Sequence, residues 1–325
     1  MAGPHRRFSF ALALTLFLAT ASCSLQAATT YFEVAAGSGP HDVAADPAAD
    51  GPVYYTAQHT GKLGILDPRS GKVEEIPLGK GSAPHGVIVG PDRAAWITDS
   101  GLNAIVRVDA RSRAVEFWPL PATAANANLN TAAFDGAGRL WFTGQSGYYG
   151  RFDPATKALQ VWAAPGGRGA YGIASTPDGQ IYYASLAGNH IAHVDPESGK
   201  ATVIAPPTPG QGARRIWSDS RGRLWVSYWN TGHVGCYDPV KKTWREWPLP
   251  GKARTYSVWV DEKDKVWLAE WTRNALIRFD PVSERFTAFP SDRPDARVRQ
   301  MLGRTGEIWG AESANDRLVR IATDF

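Results

Sequence analysis

Hydrophobic and polar positions alternate along this chain in short runs, each broken by Gly, Asn, Asp or Pro. Pro84 to Leu120 shows the unit: PHGVIV, a turn at GPDR, AAWITD, a turn at SGLN, AIVRVD, a turn at ARSR, then AVEFWPL. Runs this short, rich in Val, Ile, Phe and Trp and bounded by turn residues, predict an antiparallel meander of four strands, a to d in chain order. Seven such units follow one another. Each strand a begins beside a different polar residue, in turn His41, His85, Asn130, Tyr171, Arg214, Tyr256 and Arg299, at steps of 41 to 45 residues. A repeat of that length means stacked or closed four-stranded units, because one unit cannot bury its apolar face alone.

Two further markers keep the register. Strand b carries an aromatic in every unit, at Tyr54, Trp96, Trp141, Tyr182, Trp225, Trp267 and Trp309. Strand c ends in Asp, usually followed by Pro, as at Asp67-Pro68 and Asp238-Pro239. These pairs suit turn starts: the carboxylate accepts backbone N–H groups and proline presets φ for a reversal. The seventh unit stops after its third strand, Arg317 to Ile321, while an orphan strand, TYFEV, lies at Thr30 to Val34. Pairing the two closes the ring and removes its open edges. The prediction is an all-β, seven-bladed β-propeller filling residues 28–325 as a single domain.

Residues 1–27 carry Arg6 and Arg7, an apolar run from Phe8 to Ala21 and small residues around Ala27, the layout of a signal peptide. That predicts a periplasmic or secreted protein with no transmembrane segment; Cys23 leaves a lipid anchor as the alternative. The formal charge of +4 falls to +2 without the leader, too small for a nucleic-acid partner. Cys236 is then the one cysteine left, so it forms no intrachain disulfide and belongs to no metal motif.

In a blade of this kind, the start of innermost strand a and the end of strand b emerge on the same face beside the central channel. The strand cores repeat and these mouth positions do not, as expected of a scaffold carrying an asymmetric site for a small-molecule ligand. His41 and His85, in adjacent blades, are the candidates for proton transfer, since imidazole titrates closest to neutrality. Asp99 and Glu312 flank them and offer hard oxygens to Mg²⁺ or another divalent cation. Arg214 and Arg299 suit a substrate carboxylate. With Asn130, Tyr171, Tyr256 and Glu270 they make the expected substrate-binding set, and Trp229 and Trp271 supply apolar walls.

The units resemble the virginiamycin B lyase (streptogramin B lyase) family. The phrases that carry the resemblance are PHGVIVGPDRAAWITDSGLNAIVRVD at 84–109, GRLWFTGQSGYYGRFDP at 138–154, YGIASTPDGQIYYASLAGNHIAHVDP at 171–196 and VWLAEWTRNALIRFDP at 266–281. The resemblance implies a monomer that linearises a cyclic depsipeptide by elimination across its ester, with magnesium polarising a carbonyl and histidine moving protons. It also implies functional histidines in the last two blades. Here Tyr256 and Arg299 stand in those places, Arg297 replaces a glutamate, and Glu312 lies one position from where a second glutamate is expected. His41 and His85 are likewise consecutive ring histidines, two blades further round. Three functions remain open at this point: a metal-assisted lyase, a lactonase-like hydrolase, and a binding or interaction propeller without chemistry.

Overall fold

Each predicted unit folds as one antiparallel sheet of four strands, seven sheets in all. The computed structural model describes residues 29–251 and 253–323 with Met1 and Gly3; the rest of the leader, Cys23 included, lies outside them. Blade 1 is built from Pro40–Ala45, Val53–Ala57, Lys62–Leu66 and Val73–Pro77, and blade 2 from Pro84–Val89, Ala95–Asp99, Ala104–Val108 and Val115–Pro119. The innermost strands of blades 3 to 7 are Leu129–Phe134, Ala170–Ser175, Ala213–Ser218, Thr255–Val260 and Val298–Met301. Each touches its two neighbours, and the contacts run from blade 7 back to blade 1. No helix among the described residues is long and apolar enough to cross a membrane.

Thr29–Glu33 closes the ring as predicted, one residue earlier than read, pairing antiparallel with Arg317–Ala322. Phe32 packs its ring 5.2 Å from that of Trp309, and Glu33 pairs with Arg293 at 2.6 Å. The core lies mainly between blades, where the strand-b aromatics pack. Trp96 of blade 2, for example, sits 5.8 Å from Phe134 and 5.9 Å from Phe152 of blade 3. Four of these indoles, Trp96, Trp141, Trp225 and Trp267, donate to the aspartate of their own a–b turn (Asp92, Asp135, Asp219, Asp261) at 2.8 to 3.0 Å. The Asp at the end of strand c caps its turn: Asp109 Oδ1 accepts from the backbone of Arg111 at 3.0 Å and of Ser112 at 2.9 Å. Those bonds hold its carboxyl well below the usual range.

Two features of the innermost strands position the mouth. Every a–b pair shifts register at the ring residue, as between Pro40 and Val43 in blade 1 or Thr255 and Val258 in blade 6. Such a bulge inserts an extra residue and re-aims its side chain. In addition, a hydroxyl next to last in strand b bonds the bulge amide of its own blade and the ring-residue carbonyl of the next. Thr56 accepts from Asp42 N at 2.9 Å and donates to His85 O at 2.8 Å. Thr98, Thr143 and Ser227 do the same for the carbonyls of Asn130, Tyr171 and Tyr256. The equivalent residues of blades 4, 6 and 7 are Ala184, Ala269 and Ala311.

Candidate active site at the axial mouth

The bulges gather all seven ring residues into connected contacts around the axis. His41 Nδ1 lies 2.8 Å from Asp42 Oδ1; burial raises the Asp42 carboxyl and Arg215 opposes this, and with Asp42 ionised the carboxylate only accepts, so that Nδ1 carries the proton and Nε2 a lone pair. That lone pair faces Arg299, whose Nη1 is 3.4 Å from Nε2 and 3.4 Å from the Tyr256 hydroxyl. Tyr256 and Tyr171 share a 3.0 Å hydroxyl contact, and Arg214 Nη2 donates to Tyr171 at 2.7 Å. With its oxygen accepting from Arg214, Tyr171 turns its own proton toward Tyr256.

On the other side, His85 is tied twice to Asn130. Its Nδ1 donates to the backbone carbonyl at 3.1 Å and its Nε2 accepts from the side-chain amide at 3.3 Å. The His41 and His85 rings lie 3.8 Å apart, centroid to centroid. His41 thus turns its Nε2 lone pair toward Arg299, which a substrate proton would have to displace, while His85 serves as its support.

Three residues absent from the sequence-derived set complete the centre: Asp42, Thr131 and Arg215, each following a ring residue at a bulge. Arg215 crosses beneath the mouth to donate to Thr131 Oγ1 at 2.5 Å and to lie 3.6 Å from Asp42 Oδ1. A strand alternating strictly in and out would turn these side chains away from the ring residues. For Asp42 and Arg215 the one signal in the sequence is a charged residue between the ring position and an apolar run, in HDVAA and RRIW; Thr131 gives none.

The outer positions divide. Trp271 stacks on Tyr256 at 4.9 Å and 9°, and Trp229 meets Tyr256 edge-on at 5.9 Å, so both wall the mouth. The three carboxylates are occupied by their own loops. Asp99 accepts from Ser82 Oγ at 2.5 Å and from the backbone of Ala83 and Leu102 at 3.0 and 2.9 Å. Glu270 accepts from the backbone N–H groups of Arg254, Thr272 and Arg273 at 2.7 to 2.9 Å. Glu312 is paired with the buried Arg317.

The potential ligand groups that converge instead are His41, Asp42 and His85, with one ligating atom each inside a 4.8 Å span. This trio does not fit magnesium. It offers a single carboxylate, His85 spends both nitrogens on Asn130, and guanidinium groups crowd the space where Mg²⁺ wants oxygen atoms and water.

Electrostatics sets the protonation states. Burial, then the nearby arginines, lowers His41 well below the ordinary histidine value; burial and His41 do the same to His85. Burial alone would raise the Tyr256 phenol, but Arg214, Arg215 and Arg299 together outweigh it and bring it down to about 8. Burial raises Tyr171. Both imidazoles are therefore neutral when folded and titrate near 6.5 when unfolded. Below that pH the unfolded chain binds more protons, so stability falls on acidification, by up to about 1.4 kcal/mol per histidine per pH unit. We expect the melting temperature to drop from pH 6.5 downward, and His85→Gln to flatten that slope. An acid slope identical in the variant would show that His85 does not contribute.

A model of the virginiamycin B lyase family matches residues 18–255, ending just before Tyr256. A virginiamycin B lyase from Nocardia farcinica is 30% identical over 224 residues, 68% of this chain and 74% of that protein. Among solved structures, virginiamycin B lyase from Staphylococcus aureus superposes with a TM-score of 0.83 at 19% identity, over 91% of this chain and 99% of that one. A catalytically inactive histidine-to-alanine variant of the Staphylococcus aureus enzyme, solved with quinupristin, gives the same score, identity and coverage.

Proposed function

We propose, from the premise that the chain belongs to the virginiamycin B lyase family, that it is a carbon–oxygen lyase opening a cyclic ester or depsipeptide by elimination at the axial mouth. The observation that carries this reading is the contact series Asp42, His41, Arg299, Tyr256, which sets a neutral base and proton donors around one small space. His41 Nε2 takes the proton next to the substrate carbonyl, and Asp42 stabilises the imidazolium that forms. The electron pair left behind becomes the new C=C bond. The ester C–O bond on the adjacent carbon breaks, and its oxygen leaves as a carboxylate.

Charge builds on the carbonyl oxygen during proton removal, and there the Tyr256 hydroxyl and Arg299 donate. Arg214 supplies positive charge near the departing carboxylate. No step passes through a metal, because the guanidinium groups place their charge where such an ion would act.

The test is incubation of the purified protein with a streptogramin B-type depsipeptide and with simple macrolactones, followed by mass spectrometry. Elimination gives an unsaturated product of unchanged mass, and EDTA leaves the rate unaltered. A product heavier by one water would establish a hydrolase instead. Loss of activity in EDTA, restored by Mg²⁺, would put the ion back into the mechanism.

A further inference from the structure

We infer that the arginine cluster at the axial mouth is a carboxylate-binding site, selecting substrates that carry a free carboxylate beside the scissile ester. The inference rests on the reading of this mouth as the substrate site. Arg214, Arg215 and Arg299 all gather around Tyr256, with guanidinium carbons 3.8, 5.9 and 5.8 Å from its ring centroid. Among the described residues Asp42 is the single carboxylate paired with any of the three, and it also serves His41. Both histidines are held neutral, so the buried mouth carries excess positive charge.

Three of their donor nitrogens, moreover, lack a hydrogen bond among the described residues. Arg215 is 1% exposed, yet its Nε and Nη2 make no hydrogen bond among the described residues, and neither does Arg214 Nε. Buried guanidinium N–H groups without acceptors are costly, and an anion that accepts from them recovers that cost. The same charge repels a cationic ligand.

Shape narrows the anion. The Arg214 guanidinium is packed among aromatic rings, 4.6 Å from the centroids of both Tyr171 and Trp229 besides its contact with Tyr256. Its faces are covered, and on its edge Nη2 donates to Tyr171 while Nε has no acceptor among the described residues. A planar, two-oxygen carboxylate meets that edge with two parallel hydrogen bonds. The elimination itself liberates such a group, so one nest serves both a substrate carboxylate and the carboxylate that departs.

The experiment is calorimetric titration of the whole protein at constant ionic strength with acetate, succinate, monomethyl and dimethyl succinate, and phosphate. Saturable one-to-one binding of the carboxylates is expected, absent for the dimethyl ester, and weakened on the order of tenfold in Arg214→Gln. Arg215→Gln is run beside it. Should that variant fail to fold, the half-buried Arg214 still decides the matter. No saturable carboxylate binding by the wild type, or equal binding by a folded Arg214→Gln, overturns the inference. Phosphate binding more tightly than every carboxylate also overturns it, in favour of a phosphate-bearing ligand. Elimination of a neutral cyclic ester uninhibited by succinate removes this inference and leaves the lyase standing. Succinate binding without turnover of any ester does the reverse.

Discussion

Turnover of a cyclic ester by the His41→Asn variant is expected to fall about 10²–10⁴-fold, the usual worth of a positioned general base. Asparagine is the useful replacement because its amide nitrogen can take over the bond that His41 Nδ1 makes to Asp42 at 2.8 Å. A smaller residue would leave Asp42 buried without that partner. The melting temperature of His41→Asn should therefore stay within a few degrees of wild type.

The pH profile provides a second readout. His41 is neutral well below the ordinary histidine range, so kcat/KM has no histidine limb near neutrality. It declines as pH rises through about 8, where Tyr256 loses the proton it must donate. Tyr256→Phe removes that limb and lowers the rate. Should His41→Asn stay active while Tyr256→Phe is dead and the wild-type rate rises through pH 8, the Tyr256 phenolate would be the base and the assignment given to His41 would be lost.

Deleting residues 29–33 is expected to be as damaging to the fold as His41→Asn is to catalysis. Those five residues complete the seventh sheet, and their loss exposes the ladder edge of Arg317–Ala322 and uncovers Trp309. Lost pairing and burial of Tyr31 and Phe32 amount to on the order of 5 kcal/mol, a fall of about 8 °C in melting temperature for a domain of roughly 300 residues. The bare edge also invites pairing with a second chain, so size-exclusion chromatography should show oligomers or aggregate. A truncated protein that melts like the parent and elutes unchanged would mean that six complete blades and three strands hold the ring alone.

The fold was legible because the strand-b aromatic and the strand-c aspartate recur in register with the turns, and the missing fourth strand of blade 7 matched the orphan at the N-terminus. The ring was legible for the same reason: periodicity placed His41, Tyr256 and Arg299 on one face although they lie far apart in the chain. The partners were not. Asp42, Thr131 and Arg215 follow ring residues directly, and period-two logic turns neighbours to opposite faces; only the bulge brings both inward. Nor does residue type show whether a carboxylate is free. Asp99 and Glu312 read as metal ligands in the sequence and Glu270 as a substrate contact, whereas in the structure their oxygens already accept from loop amides, Ser82 or Arg317.

The hydroxyls of Thr56, Thr98, Thr143 and Ser227 pin the ring carbonyls of His85, Asn130, Tyr171 and Tyr256, whereas Ala184, Ala269 and Ala311 offer no such bond to those of Arg214, Arg299 and His41. Mechanical compliance is thereby apportioned unevenly around the annulus. The supporting histidine, its asparagine and the two phenols ride on anchored backbone. The proton acceptor, Arg214 and Arg299 ride on backbone without that anchor, so accommodation of a guest is expected to concentrate in the side chains that must grip it.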